Sequence, residues 1–265
     1  MTTLGLLSSS RDQKRLRVKT IGIIGCGAIG SLIAGAVQQG IVPVDKLILF
    51  DIDKAKAETL RRALKVSALI VPSLEEMIKL KPDVIVEAAS VQAAKDYAGK
   101  ILAENVDLIV MSVGALLDMN LRSDRIHIPS GAIGGLDAIS SAALVGIEEI
   151  VLTTRKNPKV LDLNTQIERV VYEGNAQEAV QRFPREMNVA ATLALTVGSE
   201  KVKVRVISDP TVHENVHEIR VRWKHGEMLL QFYNEPHPEN PKTSALSAWS
   251  AIRLLKQVLS GRIQA

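Results

Sequence analysis

The chain has 265 residues, with 46% hydrophobic, 23% charged and only 3% aromatic side chains, so it can bury an aliphatic core in one large or two smaller domains. Its net charge of +4 sits in the first nineteen residues, where Arg11, Lys14, Arg15, Arg17 and Lys19 face only Asp12; the neutral remainder argues against nucleic-acid binding. Its one cysteine, Cys26, excludes an internal disulfide, no apolar run approaches the ~20 residues of a membrane span, and "LGLLSSS" is too short for a secretory signal. The expected location is the cytoplasm, with no membrane or nucleic-acid partner, and residues 1–19 are expected to form a flexible basic extension.

From Thr20 the chain reads "TIGIIGCGAIGSLIAGAVQQG": a short apolar run, Gly25-Cys26-Gly27-Ala28-Ile29-Gly30, then a helical pattern ending at Gly40. A second apolar run, "KLILF", ends in Asp51. Strand, G-x-G-x-x-G, helix, strand and acid in this order predict a dinucleotide site. Gly25 permits the tight turn, Gly27 lets a pyrophosphate approach the backbone, and Gly30 lets helix and strand pack closely. The helix N-terminus, with Ala28 and Ile29, faces the phosphates, and Asp51 accepts from the adenosine ribose. A carboxylate there repels the 2′-phosphate of NADP, so NAD is the preferred cofactor. Lys54 and Lys56 soften that preference, and NADP stays open.

The alternation continues through "ALIV", a capping box at Ser73-Leu74-Glu75-Glu76, "DVIVEAAS", "VQAAKDYAGKILAEN" and "DLIVMSVGAL". Helices between apolar strands predict an α/β fold with a doubly wound parallel sheet of Rossmann type, which binds ligands at the carboxyl ends of its strands. Those ends carry Ala88, Ala89 and Ser90, then Ser112, Val113 and Gly114. The two serines fit equally well as strand-end caps.

Beyond Leu117 the grammar changes to that of a smaller α+β domain with an antiparallel or mixed sheet. "DRIHIPSGAIGGLDAISSAALVG" joins a short strand to a glycine-rich turn and a helix. An alternating strand "EEIVLTTRKNP", helices around "NAQEAVQRF" and "MNVAATLALTVG", and strands "KVKVRVIS", "VHEIRVRW" and "EMLLQFYN" follow, the last two flanking a turn at Lys224-His225-Gly226. The end reads as one amphipathic helix with Leu246, Trp249, Ile252, Leu255 and Val258 on a face, returning to the nucleotide domain. The expected division is 20–117 with 241–265 for the dinucleotide domain and 118–240 for substrate and dimerisation.

His213-Glu214-Asn215-Val216-His217 matches the zinc-protease pattern H-E-x-x-H, which needs a helix to set both imidazoles on one face. Here it follows the turn signal Ser208-Asp209-Pro210 and runs into a period-two pattern. Extended residues would hold the two histidines about 13 Å apart, at about 3.3 Å per residue, so no metal site is expected. The strand puts His217 on the apolar face, either as a packed histidine or as a general acid/base.

Together, "IGIIGCGAIG" with Asp51, "MSVGALLD", "PSGAIGGLDAI", "MNVAATLAL", "SDPTVHENVHEI" and "NPKTSALSAWS" make the chain resemble the L-aspartate dehydrogenase family from about residue 20 onward. The resemblance implies oxidation of L-aspartate by NAD or NADP to iminoaspartate, which hydrolyses to oxaloacetate and ammonia, and a role in making NAD. It implies that His217, in Asn215-Val216-His217-Glu218-Ile219, is the catalytic histidine, that Ala132 and Asn188 contact NAD, and that the protein is a homodimer joined through its second domain. A substrate with two carboxylates calls for cationic partners: Lys242, with Thr243 and Ser244 as neutral donors, and Arg155 or Lys156. The rival readings are a two-domain reductase of the homoserine dehydrogenase or dihydrodipicolinate reductase type, and a non-catalytic NAD-binding sensor.

Overall fold

The structure, a computed structural model, describes residues 18–119, 121–184, 187–237 and 240–260, with only the backbone path at 237 and 240–243. Most of the expected basic extension, residues 1–17, lies outside the described residues. Lys19 is tied to the fold, its N–H donating to Asp45 and its Nζ to the Leu259 carbonyl.

The first half alternates β1 (Thr20–Ile24), α1 (Ala28–Gln38), β2 (Lys46–Phe50), α2 (Lys54–Ala63), β3 (Ala68–Ile70), α3 (Leu74–Lys79), β4 (Val84–Glu87), α4 (Val91–Ala103) and β5 (Asp107–Val110). These strands and β6 (Ile126–His127) form a six-stranded, all-parallel sheet in the order β3-β2-β1-β4-β5-β6. Apolar layers cover both faces, which is why the central strands are continuous apolar runs rather than alternating ones. The order reverses between β1 and β4, so the loops after these strands open a crevice at the switch point. The sheet extends past the Leu117 boundary expected from the sequence.

The second half contains α5 (Leu136–Val145), β7 (Ile147–Lys156), β8 (Arg169–Asn175), α6 (Ala176–Arg182), α7 (Asn188–Val197), β9 (Val202–Ser208), β10 (Asn215–Trp223) and β11 (Gly226–Asn234). Its mixed sheet runs β11-β10-β7-β9-β8, antiparallel except for the β7–β9 pair. Trp223 pairs with Gly226, leaving Lys224-His225 as a two-residue hairpin turn. Alternation sends Ile150, Leu152, Thr154 and Lys156 of β7 into the core, with Val151, Thr153 and Arg155 on the other face. The helix α7, apolar nearly all round, is the central helix of this core.

A short hairpin, β12 (Pro236–His237) and β13 (Asn240–Ser244), leads into α8 (Ala245–Ser260), which returns to pack on α1 and the first core. Its buried row contains the expected Ile252 and Leu255, joined by Ala248 and Ala251, while the expected Leu246 and Trp249 stay 41% and 47% exposed. Small side chains let the two helices approach closely. Among the described residues no helix is long and apolar enough to cross a membrane.

Candidate active site

The glycine loop between β1 and α1 is set by contacts that exclude side chains. Gly25 has φ +93°, and a Cβ there would lie 2.6 Å from the Ala88 carbonyl oxygen. A Cβ on Gly30 would run into the Gly25 carbonyl, whereas at Gly27 it would meet nothing within 4 Å, so Gly27 faces open space. Asp53, Ser73, Ser90 and Asn175 cap α2, α3, α4 and α6 with their side chains. The N-terminus of α1 has no side-chain cap and no acid in its first turn. Its leading N–H groups and the positive end of its dipole therefore offer themselves to an anion, which fits a nucleotide pyrophosphate.

Asp51 ties this loop to the end of β2. Its Oδ2 accepts from the Cys26 N–H at 2.7 Å and its Oδ1 from the Asp53 N–H at 2.9 Å. A carboxylate has further lone pairs for a ribose hydroxyl. The groove beside it is lined by Gly27, Ala28, Ile29, Ala88, Ser90 and Ser112, with Lys56 from α2.

The hydroxyls of Ser90 and Ser112 are used within the protein. Ser90 Oγ accepts from the Ala93 N–H, capping α4, and Ser112 Oγ donates to Glu87 Oε1 at 3.0 Å. Glu87, not among the residues expected from the sequence, ends β4 fully buried. Its carboxylate also accepts the N–H groups of Ala89, Ser90 and Ser112. Burial raises its pKa, and these donors pull the other way. A single acid closing the apolar run of "DVIVEAAS" was the visible signal.

A second cavity adjoins this groove, and Ile29, Met111 and Asn188 line both. Its far wall comes from the second unit and from β13: Ala132, Lys156, His217 and Ser244. Asn188 Oδ1 accepts from the Gly114 N–H at 3.2 Å, joining the start of α7 to the loop after β5. The Ala132 carbonyl accepts from Asn234 Nδ2, and the Gly131 N–H donates to Ser250 Oγ of α8. Both bonds fix the glycine-rich turn against its neighbours.

His217 sits in the core-facing row of β10, directly opposite Thr154 in register. Its Nδ1 lies 3.1 Å from Thr154 Oγ1, leaving Nε2 as the ring nitrogen open to a ligand. Burial, and after it the charge of Lys156, pushes the imidazole down to about 3. The ring is therefore neutral at physiological pH, below the range expected of a base titrating near 7. His213 is exposed in the loop before β10, so H-E-x-x-H lies on loop and strand and lacks the helix that zinc binding needs.

Arg155 does not join the cavity. It projects from the other face of β7, its guanidinium 2.6 Å from both Glu168 and Asp209. Its neighbour Lys156 shares the parity of Ile150 and Leu152, and is 2% exposed at the cavity wall. Ser244 is buried there too. Lys242 and Thr243 fall in β13, and their side chains lie outside the described residues.

A family model for the aspartate dehydrogenase C-terminal region matches residues 137–258, and one for the homoserine dehydrogenase NAD-binding domain matches residues 25–126. The chain is 43% identical to an L-aspartate dehydrogenase of Methanothermobacter thermautotrophicus, over 90% of this chain and 95% of that protein. It is 42% identical to one of Archaeoglobus fulgidus, over 92% and 99%. The chain belongs to the L-aspartate dehydrogenase family. It is thus an oxidoreductase that works with a pyridine nucleotide. The crystal structure of aspartate dehydrogenase from Thermotoga maritima superposes with a TM-score of 0.74 at 30% identity, covering 93% of this chain and 99% of that one. Aspartate semialdehyde dehydrogenase II of Vibrio cholerae, 12% identical with a TM-score of 0.58, shares the fold alone.

Proposed function

We propose that the protein oxidises L-aspartate to iminoaspartate, which water converts to oxaloacetate and ammonia, and that it runs the reverse reaction as well. The carrying observation is the neutral, buried His217 in a cavity that shares Ile29, Met111 and Asn188 with the nucleotide groove. A substrate held there has its Cα beside the reactive end of a nucleotide seated on α1. The bound nucleotide supplies the hydride acceptor. The protein's own residues do the rest.

The N-terminus of α1, with Gly25, Gly27, Ala28, Ile29 and Gly30, seats the pyrophosphate. Ala88, Ser90, Ser112, Ala132 and Asn188 shape the path of the nucleotide. Asp51 accepts from the adenosine ribose and makes NAD the preferred cofactor, while Lys56 in the groove lets NADP bind less well. His217, neutral before substrate arrives and made more basic as the substrate's negative charge offsets that of Lys156, takes a proton from the substrate ammonium, so that the neutral amine can release hydride from Cα, and then orients the water that attacks the imine. Thr154 holds the ring in place, and Ser244 donates to the substrate from β13.

Residues 20–117 with 241–265 serve the nucleotide, and residues 118–240 serve substrate and dimerisation. A homodimer through the second unit is supported by the outer face of its sheet, where Leu229 and Tyr233 stand 54% and 66% exposed. The expected setting is the cytoplasm, and the expected use of the imine is pyridine-nucleotide synthesis. The test is absorbance at the reduced-nicotinamide band, with NAD supplied and L-aspartate, D-aspartate, L-glutamate and L-homoserine added in turn. Growth with L-aspartate alone is the expected result. Growth only with L-homoserine would favour the homoserine dehydrogenase type, and silence on all four with NAD still bound would favour a sensor.

A further inference from the structure

We propose that Lys156 is the substrate-binding residue that receives a carboxylate of the amino acid and presents its Cα to His217. The inference deepens the aspartate-oxidation reading and rests on it.

Geometry singles out this lysine. It occupies the last position of β7, on the core-facing row two residues beyond Thr154, which itself lies opposite His217. Its side chain is 2% exposed, yet it lines the cavity that His217 lines. Of the described residues around this cavity, Lys156 is the only lysine or arginine, and no aspartate or glutamate is among them. The ammonium of Lys156 beside the ring of His217 makes this wall of the cavity positive, which favours an anionic substrate. The remaining polar groups, Asn188, Thr192, Ser244 and Ser247, are neutral. A buried lysine is costly to maintain for packing alone, and such groups are kept where a charge is needed.

The chemistry fits an amino dicarboxylate in particular. The cavity reads charge with Lys156 and takes up the amine at His217, so the two ends of the substrate are held by neighbouring strands with fixed register. Negative charge arriving at Lys156 also offsets the positive charge that helps keep His217 deprotonated, and so strengthens the imidazole as a proton acceptor when substrate is present. Among the described residues, α7 and the glycine-rich turn bring no titratable side chain to the cavity, and the side chains of residues 240–243 in β13 lie outside the described residues. Arg155, one residue earlier, is turned away and held by Glu168 and Asp209, so it does not substitute.

The experiment compares steady-state kinetics of wild type, Lys156→Met and Lys156→Arg with NAD and L-aspartate each varied. Methionine keeps length and removes charge; arginine keeps charge and alters shape. Lys156→Met is expected to raise the KM for L-aspartate by roughly 100-fold while the KM for NAD moves by no more than about twofold. Lys156→Arg should raise the aspartate KM by about five- to tenfold, recovering most of the loss. An aspartate KM within about threefold of wild type in Lys156→Met overturns the assignment. So does a parallel rise in both KM values, which marks a merely structural residue. If the methionine variant fails to fold, as read from lost NAD binding, Lys156→Arg decides alone. An aspartate KM raised at least about fivefold at constant NAD KM supports the role, and a smaller change refutes it. No turnover of L-aspartate by wild type would refute the reaction itself; normal wild-type turnover with an unmoved variant refutes only the place of Lys156.

Discussion

The two halves of the molecule offer different means of recognition to the ligands proposed for them. In the nucleotide unit the main chain does it: an uncapped helix end, a loop of three glycines that admits no Cβ at Gly25 or Gly30, and an acid, Asp51, bonded to the loop it flanks. In the second unit side chains do it, projecting from the core face of a mixed sheet where Thr154, Lys156 and His217 meet. A main-chain site is written in consecutive residues, whereas a side-chain site is written in register. The first tolerates changes of side chain that leave the path of the backbone alone. The second turns on single atoms.

The sharpest way to break this contrast is His217→Gln. It should lower kcat roughly 100- to 1000-fold with NAD affinity within about twofold of wild type, by single-turnover kinetics and nucleotide titration. Near-normal kcat would remove the histidine from the chemistry.

The same ring gives a stability signature. His217 is held near pKa 3 in the folded state against 6.5 for the free side chain. Between those values the unfolded chain binds the extra proton. Its contribution is therefore neutral above about pH 6.5 and becomes destabilising as the pH falls toward 3. Going from pH 7 to 5 should cost wild type about 2 kcal/mol more than His217→Gln in denaturant unfolding. Glu87, whose raised pKa acts in the opposite sense, is common to both proteins and cancels. Equal losses would mean that the imidazole is not buried and neutral.

Glu87→Gln tests whether side chains also matter beneath the main-chain site. The amide must point a donor at the N–H of Ser112 or at those of Ala89 and Ser90, so the loops after β4 and β5 lose their shared acceptor. About 1–3 kcal/mol of stability and roughly tenfold in the KM for NAD should go with it, with the KM for L-aspartate less affected. A thermal melt and a nucleotide titration would show a silent variant if the carboxylate is idle.

The smallest effect concerns cofactor choice. Asp51→Ala should raise the KM for NAD about fivefold more than that for NADP, because it removes an acceptor for the ribose and a repulsion of the 2′-phosphate together. Equal changes would sink the ribose contact.

The nucleotide unit was legible because its signals are local. Strand, glycines, helix and acid fall between Thr20 and Asp51, and Ser73 caps α3 by accepting from the Glu76 N–H as its capping box indicated. The second unit was half legible. That His217 lies on a strand and faces the core followed from the alternation of 217, 219, 221 and 223. Its partner Thr154 stands 63 residues away and emerges only from the pairing of β7 with β10. Lys156 was within reach of the sequence, since it has the parity of Ile150 and Leu152, the apolar residues that mark the inner row. Of the two candidates in "TTRK", Arg155 has the opposite parity and lies on the other side of the strand.

Other elements were hidden by broken periods. In β8, "RVVYEGN", a bulge between Val170 and Tyr172 interrupts the alternation, and the proline-rich run before α8 carries no period-two signal although it forms β12 and β13. On α8 the expected Ile252 and Leu255 are buried, while packing on the first core takes Ala248 and Ala251 in place of Leu246 and Trp249.

The most direct measurement on the pairing of the two units follows the hydride itself. L-aspartate deuterated at Cα would be turned over with NAD, and the reduced nucleotide examined by mass spectrometry. One deuterium retained in the reduced nicotinamide is the result predicted by the proposed seating of Cα beside the nucleotide, in a cavity that shares Ile29, Met111 and Asn188 with the nucleotide groove. Reduced nucleotide free of deuterium would contradict direct transfer and separate the two sites that this fold brings together.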